Sequence, residues 1–311
     1  DAHTIAVDDK KISARRFVIA TGSRPFVPPI PGLEEAGFVT NVELFTLQKL
    51  PARLAVLGGG PIGLEMAQAF SRLGSKVTVF EMLPHLLPQE DTEIAELLQE
   101  KLANEGIIFH TSTEVKKVGL EGGRKIISCS TGLRHETDEI LVAVGRRANV
   151  ENLGLQAAGV AFTDNGITVD RRMRTSQKHI FALGDVCGPF PFTHMAEYQA
   201  GIVISNAIFR LPKKTDYRVV PWVTYTDPEL ARVGLTEQQA IKMGKKPLVL
   251  RFDFKDVDRA LAEVESHGRS KLITCRGKIL GASILGPSAG ELIHEIVLAM
   301  QTGARISDIS A

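Results

Sequence analysis

The chain has 311 residues, 44% of them hydrophobic, and its 37 Lys and Arg residues nearly balance its 36 Asp and Glu residues, giving a net charge of +1. This length is expected to form two or three folding units, and the balanced charge argues against a nucleic-acid or anionic membrane partner. No apolar stretch reaches the ~20 residues that span a bilayer, and the first residues lack a signal-peptide core, so a cytoplasmic protein is expected.

The predicted elements alternate between strand and helix from residue 54 onward. Residues 54–57 predict a buried strand, and apolar residues with helical spacing then predict a helix that Gly74 ends. A second strand over 77–80, a helix that ends near Gly106 and a third strand from Ile107 follow. This βαβαβ pattern predicts an α/β fold in which a Rossmann-like unit has a parallel sheet with helices on its faces.

The last part of the chain, from about residue 219, has a different pattern. A strand near 219–226, a hairpin within 271–285 and a helix over 290–301 predict an antiparallel sheet with helices, an α+β domain. The helix is apolar on more than one side, which predicts burial, either within the chain or against another subunit. The alternative is that its own sheet and residues 195–209 cover it entirely.

Residues 58–63 form a glycine motif between the first strand and its helix. Gly58, Gly60 and Gly63 give G-x-G-x-x-G, and Pro61 and Ile62 open the helix. In a dinucleotide site the first glycine permits the tight turn, the second lets the pyrophosphate approach the backbone, and the third lets helix and sheet pack closely. The helix N-terminus then offers N–H groups to the phosphates. The alternative is a turn with a structural role alone.

Glu81 ends the second strand, eighteen residues beyond Gly63. An acid at this place accepts hydrogen bonds from the adenosine ribose hydroxyls, and the following MLPHLLP offers no Arg to hold a 2′-phosphate. These features predict NAD as the cofactor, with NADH preferred over NADPH. The alternative for Glu81 is a solvated strand end.

Seven ordered motifs carry a family resemblance over essentially the whole chain. They are FVIATGSRPFVPPIPG (17–32), GGGPIGLE (58–65), ILVAVGRRANVENLGL (140–155), HIFALGDVCG (179–188), FTHMAEYQA (192–200), TDPELARVGLTE (226–237) and GPSAGELIHEIVLAM (286–300). The chain resembles the flavin-dependent pyridine nucleotide-disulfide oxidoreductases, a family that includes dihydrolipoamide dehydrogenase, glutathione reductase and mercuric reductase. RALAE (259–263) followed by GRSKLI looks most similar to mercuric reductase.

The resemblance implies roles for individual residues. Thr21 and Gly22 resemble the strand end that passes the FAD adenosine, and Asp185, after Gly184, resembles the acid that hydrogen-bonds the flavin ribityl chain. The helix that begins near His194 and includes Ala196 would direct its N-terminus at the flavin pyrimidine edge. The alternative for His194 is a core or loop histidine.

Two further residues gain a role from the resemblance. Glu65 is similar to a family glutamate near the nicotinamide, and Gly145 is similar to a glycine that lines the NAD cleft. The alternative for Glu65 is an exposed acid in the first turn of its helix, where a negative charge is favoured.

The order of motifs predicts the domains. Residues 1–46 and 150–214 are expected to form two pieces of a partial FAD-binding domain, with an NAD(P)-binding domain over 47–149 and a truncated interface domain over 215–311. The resemblance implies a homodimer through this last domain. It also implies a flavoprotein oxidoreductase that passes a hydride from NAD(P)H to FAD and then electrons to a disulfide or similar acceptor.

The sequence departs from the family pattern at several points. It has one GxGxxG motif, no Cys-x4-Cys pair and no His-Pro segment, and Cys129, Cys187 and Cys275 suit neither a disulfide framework nor a CxxC metal site. We therefore expect a fragment that holds no metal and no catalytic residue, is inactive in isolation and has Cys187 as inert packing. The alternative function is a dinucleotide-binding and dimerising module without activity.

Overall fold

The structure is a computed structural model that describes residues 2–309. Its strands are β1 (Thr4–Val7), β2 (Lys10–Ser13), β3 (Phe17–Ile19), β4 (Ser23–Pro25), β5 (Arg53–Leu57), β6 (Lys76–Phe80), β7 (Ile108–His110), β8 (Val115–Glu121), β9 (Arg124–Cys129), β10 (Arg134–Thr137), β11 (Glu139–Val142), β12 (Arg146–Ala148), β13 (Phe162–Thr163), β14 (Gly166–Ile167), β15 (Ile180–Ala182), β16 (Pro221–Thr224), β17 (Glu229–Gly234), β18 (Leu248–Asp253), β19 (Arg269–Cys275) and β20 (Lys278–Gly286).

The α-helices are α1 (Leu33–Ala36), α2 (Pro61–Arg72), α3 (Thr92–Asn104), α4 (Thr193–Ala207), α5 (Glu237–Lys242), α6 (Asp258–Ala262), α7 (Ala289–Thr302) and α8 (Ile306–Ile309). Short 3₁₀ turns lie at Leu44–Thr46, Gly184–Val186 and Phe254–Asp256. The predicted βαβαβ order of β5, α2, β6, α3 and β7 is confirmed. Within residues 2–309 no helix combines the length and the apolar character needed to cross a membrane.

The chain divides into two compact units. One consists of Asp1–Phe26 with Arg146–Tyr217, and the other of Val27–Gly145 with Arg218–Ala311. The second unit therefore contains both the parallel sheet and the antiparallel sheet, so contacts between those two sheets lie inside one unit.

The second unit contains a four-stranded parallel sheet in the order β11-β5-β6-β7. Its strands are apolar because helices cover them, and Leu54 and Val56 of β5 are fully buried together with Leu64 of α2 and Leu98 of α3. The β8–β9–β10 meander follows as a separate antiparallel sheet.

The same unit contains a five-stranded antiparallel sheet in the order β16-β17-β20-β19-β18. Its core consists of small and branched residues on β17 and β20 against Ala289 and Ile293 of α7. The predicted hairpin and helix are thus confirmed, and so is the fold class, a Rossmann-like α/β unit followed by an α+β domain. Leu292 and Leu298 of α7 are 47% and 64% exposed, so the alternative in which this helix is entirely covered within the chain is wrong.

The first unit contains small sheets and α4. Strand β3 pairs in parallel with β15, with Phe17 opposite Ile180, and β4 pairs antiparallel with β12. Strands that are far apart in sequence therefore lie in one sheet. This agrees with the expectation that Thr21 and Asp185, which follow these two strands, belong to the same flavin site. The boundaries 1–46, 47–149, 150–214 and 215–311 stay a prediction.

Candidate dinucleotide and flavin sites

The turn after β5 has glycines where other residues would not fit. Gly58 has φ of +106°, and a Cβ there would lie 2.5 Å from the carbonyl oxygen of Ala143. A Cβ on Gly63 would clash with the carbonyl oxygen of Gly58. Gly58 is thus required by the close approach of this turn to the turn after β11, and Gly63 by the close approach of α2 to the glycine turn itself.

Gly60 differs from these two glycines because, within residues 2–309 and apart from its two chain neighbours, no heavy atom lies within 4 Å of the place where its Cβ would be. Its φ of −81° is also one that any residue adopts. The packing of the protein therefore gives no reason for a glycine here. Open space beside a helix N-terminus is what a dinucleotide pyrophosphate requires, so the residues fit that group.

The N-terminus of α2 is open to a phosphate. Gly60 is the N-cap residue, no side chain of the described residues 2–309 caps the helix, and Pro61 occupies its first turn. The first intrahelical hydrogen bond runs from the Leu64 N–H to the Gly60 carbonyl at 3.0 Å. The N–H groups of Ile62 and Gly63 thus precede the helical ladder and form the positive end of the helix dipole.

Glu81 is joined to the glycine turn. It is 8% exposed, and its Oε2 accepts the Gly59 N–H at 2.7 Å while its Oε1 accepts the Leu83 N–H at 2.7 Å. The alternative of a solvated strand end is therefore wrong. Because each carboxylate oxygen has two lone pairs, each still has one acceptor position for a ribose hydroxyl. Sequence reasoning missed Gly59 and Leu83, whose backbone contacts leave no signal in residue type.

Glu65 lies in the second turn of α2, so the alternative of an exposed acid in the first turn of the helix is wrong. The side chain is half-buried, and its Oε1 accepts the backbone N–H of Tyr225 at 2.8 Å. Burial raises the pKa of Glu65, and the hydrogen bond from Tyr225 opposes this effect. Its role near a nicotinamide stays a prediction.

Gly145 lies in the turn after β11 with φ of +124°, a conformation that favours glycine. The preceding residues Ala143 and Val144 approach Gly58. The predicted NAD residues Gly58 and Gly145 therefore belong to neighbouring turns at one end of the parallel sheet.

In the first unit, Thr21 and Gly22 are held by Asn149. The Thr21 hydroxyl donates to the Asn149 carbonyl at 2.8 Å, and the Asn149 N–H donates to the Gly22 carbonyl at 2.9 Å. Gly22 has φ of +69°. Sequence reasoning missed Asn149, which is 128 residues from Thr21.

Asp185 lies beside the same segment. Its Oδ2 accepts from the Ser23 hydroxyl at 2.6 Å and lies 3.6 Å from Nε of Arg146, which also donates to the Ser23 oxygen at 2.7 Å. Asp185 Oδ1 has no protein partner among residues 2–309, so it fits an incoming hydroxyl donor. Ser23 and Arg146 were not predicted from the sequence.

Gly184 and Ala196 contact each other where the 3₁₀ turn meets α4. Gly184 has φ of +74°, and a Cβ on it would lie 3.4 Å from that of Ala196. The Gly184 N–H donates to Oε1 of the fully buried Gln199 at 2.7 Å, and Gln199 Nε2 donates to the Tyr217 hydroxyl at 3.0 Å. Gln199 thereby fixes the turn that presents Asp185.

His194 is the second residue of α4 and is exposed, so the alternative of a core or loop histidine is wrong. Its ring stacks on Phe192 with centroids 5.5 Å apart and planes 7° apart. Phe192 is the N-cap residue, and within the part of the chain that the structure describes no side chain caps α4. The helix N-terminus thus presents N–H groups that would suit a flavin ring edge carrying negative charge.

Cys187 follows the 3₁₀ turn and is half-buried. Burial, with a smaller effect from Asp185, raises the pKa of its thiol to about 12. A thiol with this pKa is protonated at neutral pH and a poor nucleophile, which supports the interpretation of Cys187 as inert packing.

Comparison with known proteins agrees with this arrangement. Residues 1–200 match the family model described as pyridine nucleotide-disulphide oxidoreductase, and residues 220–311 match its dimerisation domain. A mercuric reductase from Lysinibacillus sphaericus is 39% identical over 326 residues, which cover 100% of this chain and 58% of that protein. A dihydrolipoyl dehydrogenase from Thermus scotoductus is 39% identical over 317 residues, covering 98% and 68% respectively.

Among solved structures, the copper(II) complex of the HOCl-induced flavoprotein disulfide reductase RclA from Escherichia coli superposes with a TM-score of 0.92 at 31% identity. The match covers 99% of this chain and 72% of that one. The chain belongs to the pyridine nucleotide-disulfide oxidoreductase family, and the predicted resemblance is confirmed. It spans 58% of the length of the two mercuric reductases that it matches over its full length.

Proposed function

We propose that the chain binds NADH at the turn between β5 and α2, as part of a flavoprotein that passes a hydride from NAD(P)H to FAD and electrons to a disulfide or similar acceptor. The observation that carries this proposal is the open space at Gly60, beside an uncapped helix N-terminus. A turn with a structural role alone would require glycine at Gly58 and Gly63 but not at Gly60.

Each residue of the turn has a distinct part in binding. Gly60 leaves room for the pyrophosphate, and the N–H groups of Ile62 and Gly63 donate to its oxygens. Gly63 lets α2 lie close to the glycine turn, and Gly58 lets that turn lie close to the turn after β11, which keeps those N–H groups directed at the phosphates. Gly145 lines the neighbouring turn.

Glu81 supports the preference for NADH over NADPH. Its carboxylate oxygens each keep one acceptor position, which suits the two hydroxyls of the adenosine ribose. A 2′-phosphate would place negative charge against this buried carboxylate, and like charges at close range are costly.

The flavin residues are Thr21, Gly22, Asp185 with Gly184, and the start of α4 at His194 and Ala196. Bound flavin supplies an acceptor for a hydride and a donor of electrons to the next carrier. The free Oδ1 of Asp185 would accept from a sugar-alcohol hydroxyl, and Gln199 would keep the Gly184 turn in place. The open N-terminus of α4 would stabilise negative charge.

The alternative function is a dinucleotide-binding and dimerising module without activity of its own. The observation that favours it is the pair of exposed leucines on α7, within the part of the chain that matches a dimerisation domain. Both functions share NADH binding and a homodimer through 215–311. They also share a cytoplasmic location, which three free cysteines suit.

Anaerobic addition of NADH to the purified chain, before and after incubation with FAD, separates the two functions. FAD that stays with the protein through gel filtration and bleaches when NADH is added would support the oxidoreductase and would contradict the expected inactivity of the isolated chain. If FAD elutes freely while NADH still binds, the dinucleotide-binding module is the better description. The absence of NADH binding would contradict both.

A further inference from the structure

Three side chains on one face of α2 contact one short turn of the antiparallel sheet domain. Glu65, Gln68 and Arg72 are three and four residues apart, a spacing that places them in one row along a helix. All three hydrogen-bond to residues 225–227, which lie between β16 and β17. We call this segment the 225–227 turn.

Gln68 makes the most complete of these contacts. Its Oε1 accepts the Asp227 N–H at 2.8 Å, and its Nε2 donates to the Asp227 carbonyl at 2.7 Å and to Oε2 of Glu105 at 3.1 Å. Gln68 is 4% exposed. A buried amide that pairs with both the backbone N–H and the backbone carbonyl of one residue fixes position in the way that a β-ladder does.

The contacts on either side of Gln68 strengthen this attachment. Arg72 donates to the Asp227 carboxylate at 2.7 Å and to Glu105 at 2.9 Å. The Tyr225 N–H donates to Glu65 at 2.8 Å. The row therefore extends over two turns of α2, from Glu65 to the last residue of the helix, which opposes sliding or rotation of the helix.

The same helix begins at the glycine turn, so whatever fixes α2 also fixes the N–H groups at its start. Gln68 lies about 9 Å along the helix from Ile62, at 1.5 Å per residue. Over this distance an α-helix moves as a rigid body. A shift of α2 by a fraction of an ångström therefore moves the Ile62 and Gly63 N–H groups by the same amount.

We propose that Gln68 is a positioning residue for the dinucleotide, through which the 225–227 turn sets the place of the α2 N-terminus. The inference rests on the proposed NADH site and adds that the antiparallel sheet domain takes part in forming it. The competing account is that Gln68 only ties two parts of the unit together, as Arg251 does through Glu93 at 2.9 Å.

Arg251→Ala is therefore a matched control. It removes a contact between the same two parts of the unit but touches α3 rather than α2. The test measures the dissociation constant for NADH by calorimetry and the unfolding temperature of the wild-type chain, Gln68→Ala and Arg251→Ala. We expect Gln68→Ala to raise the dissociation constant about tenfold, because it removes hydrogen bonds that hold the binding geometry.

The control variant should keep the wild-type dissociation constant even where its unfolding temperature falls. Equal dissociation constants for Gln68→Ala and Arg251→Ala would overturn the inference while leaving the proposed function intact. A wild-type chain that does not bind NADH would instead overturn the proposed function and the inference with it.

Gln68→Glu keeps the test decisive if Gln68→Ala does not fold. At high pH its carboxylate would repel the Asp227 carbonyl oxygen and the Glu105 carboxylate. The positive charges of Arg72 and Lys101, which both contact Glu105, also lie near this group. At low pH the protonated acid can donate to the Asp227 carbonyl as the amide does. We expect NADH binding by this variant to weaken as pH rises, relative to wild type. An identical pH profile for both proteins would contradict the positioning role.

Discussion

The carboxylate of Glu81, at the end of β6, accepts the backbone N–H of Gly59 in the glycine turn at 2.7 Å. The acid proposed to bind the ribose and the turn proposed to bind the pyrophosphate are therefore one hydrogen-bonded unit. Glu81 has a structural task in the protein itself, and its effect on cofactor choice must be separated from that task.

Glu81→Gln should change cofactor preference and stability together. The amide loses one acceptor and presents an N–H group to a backbone N–H, so we expect a loss of about 1–3 kcal/mol in the free energy of unfolding. Removal of the negative charge should also narrow the difference between the dissociation constants for NADH and NADPH. Denaturant unfolding and parallel titrations with both nucleotides measure the two effects. An unchanged NADH to NADPH ratio would show that Glu81 does not select the cofactor.

Glu93 of α3 pairs with Arg251, Arg269 and Lys271 of the antiparallel sheet, and these ion pairs predict a dependence of stability on pH. Burial would raise the pKa of Glu93, but hydrogen bonds from Arg251, Lys271 and Arg269 outweigh this and lower it to about 2, from 4.5. Its stabilising contribution is therefore present above pH 4.5 and is lost as pH falls toward 2.

Glu93→Gln should lower the free energy of unfolding by about 2 kcal/mol at pH 7, because three cationic groups lose a charged partner. Between pH 5 and pH 2 the variant should lose less stability than wild type does. Denaturant unfolding across this range gives both values. If the free energy of unfolding fell equally with pH in the two proteins, ionised Glu93 would not be the source of the pH dependence.

The thiols should differ in their reaction with an aromatic disulfide reagent at pH 8. Burial raises the pKa of Cys187 to about 12 and also raises that of Cys129, whereas Cys275 is partly exposed at the end of β19. We expect Cys275 to account for the fast phase, which Cys275→Ser removes and Cys187→Ser leaves in place. A fast phase lost with Cys187 would show that this thiol is reactive.

Leu298→Asp should weaken self-association without a loss of fold. Leu298 is 64% exposed on α7, within the part of the chain that matches a dimerisation domain, so a charge there costs little in one chain and much in a homodimer interface. Leu120→Asp is the matched control, because Leu120 is 56% exposed on β8, outside that domain. Sedimentation velocity should show a monomer for Leu298→Asp and a dimer for both the wild type and Leu120→Asp. A wild-type chain that sediments as a monomer would contradict the dimer.

Some of this structure was predictable because its signals are local. Alternation of apolar runs with glycines fixes β5, α2 and β6, and the demands on Gly58 and Gly63 arise from neighbours within a single βαβ unit and the strand beside it. The exposed apolar surface of α7 was also predictable, since the helix has more apolar residues than one sheet can cover.

Other features were beyond sequence reasoning because they join residues far apart in the chain. Gln68 meets the peptide of Asp227 at a separation of 159 residues, and Ser23 meets Asp185 at 162. Lys271 is 3% exposed although lysine is ordinarily a surface residue, and it is buried because Asp91, Glu93 and Glu237 surround it. Composition and periodicity cannot reveal such pairs.

The titration of NADH into wild type, Gly60→Val and Gly63→Ala tests the dinucleotide site most directly. We predict saturable binding to wild type and none to Gly60→Val, whose unfolding temperature should stay closer to that of wild type than that of Gly63→Ala does, because its Cβ enters open space. Gly63→Ala should instead lower the unfolding temperature, since its Cβ clashes with the Gly58 carbonyl oxygen. Binding of NADH by Gly60→Val with wild-type affinity, or no binding by wild type, would contradict the proposed site.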